Sequence, residues 1–307
     1  MRRFISYAKF NLYLAVGRRR SDGYHEIDTV LQTIDLADEL SFEPLESGHL
    51  DVICPDPAVP GGPENLVHRA LELLRDRSGV EEGMRVVITK RIPPEAGLGG
   101  GSSNAACALA AGSLIWGLGL RADELEAMAA DIGSDVPFFI RGGTQRCRGR
   151  GEICERLEPL PDSVWVVVKP AGGLSTTEVY GLFRSPLTQN RQEVRMILES
   201  VAKRDLPTVV EMGFNDLEGP ASEIQPTVAR LTAWMRTAGL TGSRLAGSGS
   251  AWVGLVSDPE AVRRAELDGF PSGWRVFRVR STDRGWIEQE TSASESHGKV
   301  NPDGGLE

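Results

Sequence analysis

Ile92-Pro93-Pro94-Glu95-Ala96-Gly97-Leu98-Gly99-Gly100-Gly101-Ser102-Ser103-Asn104-Ala105-Ala106 is the most informative stretch of the 307-residue chain. Four of the five residues from 97 to 101 are glycine, and Ser102, Ser103 and Asn104 follow where a helix N-cap belongs. An alanine-rich helix is predicted next, from about Ser103 to Gly117. Glycines let the backbone approach an anion closely, and free N–H groups at a positive helix end then hold it. The Ser102 and Ser103 hydroxyls are placed to reach a phosphate or its Mg²⁺. No Lys follows the last glycine, so the stretch is not a Walker loop. Its spacing is not a clean G-x-G-x-x-G, and Pro93-Pro94 separates it from the preceding strand, which speaks against a dinucleotide-binding turn. A flexible glycine linker is the plainer alternative, but a linker needs no capped alanine-rich helix directly after it.

Outward from the loop, strand and helix patterns mix along the chain. Alternating Ile5, Tyr7, Leu12, Leu14 and Val16 predict a strand over 4–16. Residues 26–43 read as strands interrupted near Leu36-Ala37-Asp38, and 84–90 as another strand. Asn65 to Arg77 has Leu66, Ala70, Leu73 and Leu74 at helical spacing, and a further helix is predicted over 122–132. Gly149, Gly151, Pro159 and Pro161 cluster near a domain boundary. Beyond it, Val164–Val168, 251–256 and 274–279 read as strands, and 176–184, 191–203, 224–238 and 259–267 as helices. The expected class is α+β, with domains at 1–155 and 156–282 and a disordered polar tail at 283–307.

Composition narrows the function. Lys plus Arg is 34, Asp plus Glu is 43, and the net charge is -9. Residues 1–150 carry 17 basic and 21 acidic side chains, so neither half is basic and no surface for nucleic acid or anionic lipid is expected. Four cysteines without a CxxC pair form no disulfide framework, and four histidines without ligand spacing suggest no metal site. The longest uncharged apolar run, Ala105 to Leu120, is 16 residues, short of the roughly 20 a membrane span needs. The reading expects a cytoplasmic protein, monomeric or weakly dimeric, acting on a small molecule.

Three further segments join the glycine loop. They are Ala8-Lys9-Phe10-Asn11-Leu12 with Gly17-Arg18-Arg19 and Asp22-Gly23-Tyr24-His25-Glu26; Ile132-Gly133-Ser134-Asp135-Val136-Pro137-Phe138-Phe139; and Gly247-Ser248-Gly249-Ser250-Ala251. With Pro93 to Ala106 they resemble the GHMP small-molecule kinases, in the same order over about residues 5–280. The glycine loop carries the superfamily resemblance. The K-x-N and D-G-Y-H segments are similar to the branch that phosphorylates a cytidine diphosphate ester of methylerythritol in the non-mevalonate isoprenoid route.

This resemblance implies a two-domain kinase fold with mixed sheets, a catalytic cleft between the domains, and ATP with Mg²⁺ as cofactors. It makes Lys9 the catalytic lysine and Asp135 the base that takes the proton of the 2-hydroxyl. On pattern alone Lys9 is equally a surface lysine, and Asp135 a helix-end carboxylate. ATP is assigned to Asn65, Pro93, Gly97, Leu98, Gly99, Gly100, Gly101, Ser102 and Ser103, with Asn65 equally a plain N-cap. Substrate is assigned to Asn11, Tyr24, His25, Thr176, Thr177, Tyr180, Gly247, Ser248 and Gly249, with Tyr24 and Tyr180 stacking on the cytosine. No acidic metal ligand is identified, and Ser103 is the one side chain assigned to Mg²⁺. Arg141, Arg146, Arg148 and Arg150 have no counterpart in the resemblance and read as a solvated face or a phosphate-attracting patch. Two rival functions stay open: another GHMP kinase acting on a mevalonate, homoserine or sugar-type alcohol, and a non-catalytic nucleotide sensor.

Overall fold

β1 (Arg2–Arg19) and β2 (His25–Leu45) form a long antiparallel ribbon, closed by a turn at Asp22-Gly23. The computed structural model describes residues 1–46, 48–184, 191–258, 260 and 273–289. After β2 come β3 (Leu50–Ile53), α1 (Leu66–Ser78), β4 (Gly83–Thr89), α2 (Gly100–Ile115), α3 (Ala122–Ile132), α4 (Val136–Arg141), β5 (Thr144–Gly149) and β6 (Ile153–Arg156). The second half contributes β7 (Val164–Lys169), α5 (Thr176–Leu182), α6 (Arg191–Ala202), α7 (Leu206–Met212), α8 (Glu218–Ile224), α9 (Thr227–Thr237), β8 (Leu240–Leu245), β9 (Trp252–Val256), β10 (Arg275–Arg280) and β11 (Trp286–Gln289).

Two sheets result. One is mixed, in the order β11-β1-β2-β4-β3, with β5 also on β2, β6 on β5, and only β3–β4 parallel. The other, β10-β7-β9-β8, is antiparallel throughout. Helices α1 to α4 cover one face of the first sheet around Phe4, Leu40, Phe42, Val86 and the alanines of α2. The second sheet packs on the ribbon instead, where Phe10 meets Trp165 at 4.6 Å between ring centroids. Residues 8–14 of β1 are thus enclosed from both sides, so that even the polar Lys9 and Asn11 are buried.

Several expectations are corrected. β2 does not break at Leu36-Ala37-Asp38. The ladder slips there, with Tyr7 opposite Ala37 and Ala8 opposite Ile34, a bulge within one strand. The bulge turns Asp38 inward, where its Oδ1 accepts the N–H groups of Arg91 (2.7 Å) and Ile92 (2.9 Å) and fixes the start of the glycine loop. Helix α2 begins at Gly100, not Ser103, with Gly99 as N-cap at φ +72°. Glycine's helix penalty of about 1 kcal/mol per residue is offset by burying α2 almost all round. The helix foreseen at 224–238 is α9, and α8, parted from it at Gln225-Pro226, was not anticipated. Strands β3, β5, β6, β8 and β11 were not anticipated. The helix expected at 259–267 lies outside the described residues. Of the tail expected to be disordered, β11 pairs with Arg3–Ser6, and Trp286 Nε1 donates to Ile140 O at 3.1 Å. Residues 290–307 lie outside the described residues.

Candidate active site

A cavity of about 1300 Å³ is lined by both halves of the chain. At its floor β1 presents Lys9 and Asn11, two residues apart and therefore on one face. Asp135 stands at the N-terminal end of α4, where its side chain makes no capping bond. Lys9 Nζ lies 3.4 Å from Asp135 Oδ2 and donates to Asn11 Oδ1 at 3.3 Å. The Lys9 side chain is only 5% exposed against 35% for Asp135, so the ammonium is held from below while the carboxylate meets the cavity. Asn11 is itself fixed: Nδ2 donates to Thr29 Oγ1 at 2.8 Å, and Oδ1 also accepts the Gly247 N–H at 3.0 Å.

The glycine loop crosses directly above. Leu98 O accepts the Lys9 N–H at 3.0 Å. A Cβ on Gly99 would stand 2.8 Å from the Phe139 ring and 3.1 Å from Lys9 Cγ, and one on Gly97 would stand 1.8 Å from Ala246 O. The loop is therefore wedged between the lysine stem and the turn at 246–249. Lys90, directly before the loop, also lines the cavity and pairs with the buried Asp38. The sequence reading missed it, although its place next to the loop was a usable signal.

Pro93, Gly97, Leu98, Gly99, Gly100, Gly101 and Ser102 line the cavity, as does Asn65. Asn65 also caps α1, with Oδ1 accepting the Val67 N–H at 2.9 Å and Nδ2 donating to Pro60 O at 2.7 Å. Ser103 does not line the cavity, and its assignment to ATP and Mg²⁺ is corrected. Because α2 starts three residues early, Ser103 falls on the buried face, where Oγ donates to Tyr7 O and meets Ser6 Oγ, both at 2.6 Å. Ser102 is the first-turn hydroxyl that faces the cavity. Ser103→Ala is expected to cost about 1 kcal/mol of stability, which a thermal melt checks.

At the far end the turn between β1 and β2 meets α5. The His25 ring lies 5.7 Å from Tyr180 and 5.6 Å from Phe183. His25 Nδ1 is 3.0 Å from Gly17 O, and a carbonyl only accepts, so Nδ1 donates and Nε2 of the neutral ring is left as an acceptor. Burial, together with the Asp135 carboxylate, pushes the Tyr180 phenol well above its usual range and keeps it an uncharged platform. Tyr24 is exposed, and the Arg150 guanidinium lies 5.4 Å over its ring. Thr176 and Thr177 line the cavity beside them, and Thr176 Oγ1 lies 2.9 Å from Ser248 Oγ. Gly247 and Ser248 line the cavity. Gly249 does not: its missing side chain would face Leu245 and Leu174, so its role is to let the turn pack.

The arginines form no single patch. Arg141 pairs with Glu126 at 2.6 Å, Arg146 grips Asp28 with two bonds, and Arg148 lies 3.9 Å from Glu155. Arg150 alone of the four lines the cavity. Its position between Gly149 and Gly151, at a hairpin tip, was the available signal.

Comparison with known proteins follows this geometry. The family described as GHMP kinases N terminal domain matches residues 65–143, and that described as GHMP kinases C terminal matches 197–268. A 4-diphosphocytidyl-2-C-methyl-D-erythritol kinase of Pelotomaculum thermopropionicum is 41% identical, over 84% of this chain and 90% of its own length. A protein of the same name from Gloeobacter violaceus is 37% identical, over 94% and 97%. The crystal structure of a 4-(cytidine 5'-diphospho)-2C-methyl-D-erythritol kinase superposes with a TM-score of 0.73 at 36% identity, covering 91% of this chain and 98% of that one. A homoserine kinase from Cytophaga hutchinsonii superposes at 0.77 with 16% identity, a likeness of fold alone. The chain belongs to the 4-diphosphocytidyl-2-C-methyl-D-erythritol kinases, small-molecule kinases of the GHMP superfamily.

Proposed function

We propose that the chain transfers the γ-phosphoryl group of ATP to the 2-hydroxyl of 4-diphosphocytidyl-2-C-methyl-D-erythritol, giving the 2-phosphate and ADP. The observation that carries this reading is the Lys9–Asp135 pair under the glycine loop, in one cavity with the His25–Tyr180 rings. Asp135 accepts the hydroxyl proton as the oxygen–phosphorus bond forms. Lys9 neutralises charge on the transferring group, which is where a phosphoryl-transfer site acts most. The backbone N–H groups at the start of α2 hold the phosphates. Tyr24 and Tyr180 supply ring faces for the cytosine, and His25 Nε2 accepts from the base's amino group.

Among the described residues no group of His, Cys, Asp or Glu is arranged to hold a metal ion. That donor set fits Mg²⁺ carried mainly by phosphates and water, with the Ser102 hydroxyl and the exposed edge of Asp135 as the protein oxygens within the cavity. Bound there, the ion would screen the phosphate charge. No helix among the described residues is long and apolar enough to cross a membrane.

The test is ADP release by purified protein with Mg-ATP and one alcohol per well: the cytidyl substrate, mevalonate, homoserine or galactose. Turnover confined to the cytidyl substrate supports the reading. Turnover with another alcohol moves the chain to a different GHMP activity, and nucleotide binding without turnover points to a sensor.

A further inference from the structure

The segment between α7 and α8, Gly213-Phe214-Asn215-Asp216-Leu217, took no part in the sequence reading, yet it lies beside the catalytic strand. Asn215 forms a parallel bridge with Leu14 of β1. Leu14 N–H donates to Phe214 O at 2.8 Å, Asp216 N–H donates to Leu14 O at 3.0 Å, and Val16 N–H reaches Asp216 Oδ2 at 2.8 Å. The Asn215 side chain is 6% exposed and fully engaged. Nδ2 donates to Leu245 O at 2.9 Å and Gly247 O at 2.7 Å, while Oδ1 accepts the Leu217 N–H at 2.9 Å.

Both carbonyls belong to the turn that faces the reacting pair. Gly247 N–H donates to Asn11 Oδ1 at 3.0 Å, the same oxygen that accepts from Lys9 Nζ at 3.3 Å. Lys9 in turn lies 3.4 Å from Asp135. An unbroken path of hydrogen bonds therefore runs from Asn215 through Gly247 and Asn11 to the ammonium. We propose that Asn215 is a positioning residue for phosphoryl transfer, setting the height of the Gly247 turn and, through it, the place of Lys9 at the reacting oxygen. The proposal rests on Lys9 and Asp135 being the reacting pair. Asparagine is required because only an uncharged amide offers two donors and an acceptor at this length.

Asn215→Asp keeps the shape and the bond from Leu217. It loses both donations and sets a carboxylate against two carbonyl oxygens. The turn then shifts, and a displacement on the order of 1 Å at a reacting centre costs about 100-fold in rate. The expected result is a kcat about 30- to 100-fold lower per site that still binds nucleotide. A merely structural role would instead lower the folded fraction and leave kcat per folded molecule unchanged. Rates are therefore normalised to sites that bind a non-hydrolysable ATP analogue by calorimetry. Should Asn215→Asp fail to fold, Asn215→Ser, too short to reach both carbonyls, carries the same expectation. Parent-like kcat per binding-competent site in the folded variant overturns the proposal. Asp135→Asn is measured alongside. If it retains turnover, the reading of the reacting pair fails. If it is inactive while Asn215→Asp turns over normally, only the positioning role fails.

Discussion

Asp135→Asn is expected to lower kcat by about a thousandfold, within the range that positioned acid–base groups contribute, while the protein stays folded. The site explains why the two effects separate. The Asp135 side chain caps no helix, and its charged contact is Lys9. Lys9 keeps its bond to Asn11 Oδ1 when that contact weakens. Because Asp135 is about one-third exposed, solvent screens the pair, and its loss costs about 1 kcal/mol of stability. The amide that replaces the carboxylate fills the same space but cannot take the hydroxyl proton. Steady-state kinetics with a parallel thermal melt check this. A kcat within tenfold of the parent would remove Asp135 from the role of base.

Gly97→Ala is expected to do the opposite, unseating the site by way of the fold. Gly97 adopts φ +72°, and a Cβ there would stand 1.8 Å from Ala246 O, 2.7 Å from its carbonyl carbon and 2.9 Å from Gly249 N. Those neighbours are backbone atoms and cannot rotate away. The glycine loop and the Gly247 turn must separate, undoing the bonds from Ser250 N–H to Glu95 O (3.3 Å) and Ala251 N–H to Ala96 O (3.1 Å). A stability loss of about 3 kcal/mol or more follows, together with loss of the rise in melting temperature that ATP gives the parent. Gly101→Ala is the control for stability. A Cβ there meets nothing closer than Leu66 at 3.7 Å, so helix propensity makes that change neutral or stabilising by up to about 1 kcal/mol. Thermal melts of both variants with and without ATP test the contrast. Equal melting behaviour would show that the two glycine turns do not depend on close contact.

The parts of this site that were legible in the sequence share a physical basis. Lys9 and Asn11 could be placed on one face because strand geometry alternates side chains, and Asn65 could be read as a cap because the helix after it has clear periodicity. The glycines at 97 and 99 announced close backbone approach, although not that their neighbour would be the Ala246 carbonyl. Ser103 was misplaced because glycine's poor helix propensity suggested a later helix start. Burial of α2 overrode that preference and rotated Ser103 away from the cavity. Lys90 escaped notice, and Arg150 could not be told apart from the other three arginines of its cluster, because their importance depends on which hairpin tip or strand end meets the cavity, a consequence of long-range pairing. Asn215 carries no local pattern at all. Its two donations reach residues 30 and 32 positions away. Strand β11 was read as tail because Trp286-Ile287-Glu288-Gln289 is too short and polar to be recognised without β1 beside it.

The most direct test of the central claim is ³¹P NMR of a stoichiometric reaction of protein, Mg-ATP and 4-diphosphocytidyl-2-C-methyl-D-erythritol. The expected spectrum gains one phosphomonoester signal without three-bond proton coupling, because the carbon of the tertiary 2-hydroxyl bears no hydrogen, in equal amount with ADP, and Asp135→Asn gives neither within the same time. ADP without a new phosphomonoester, or a phosphomonoester formed equally well on mevalonate or by Asp135→Asn, would contradict it.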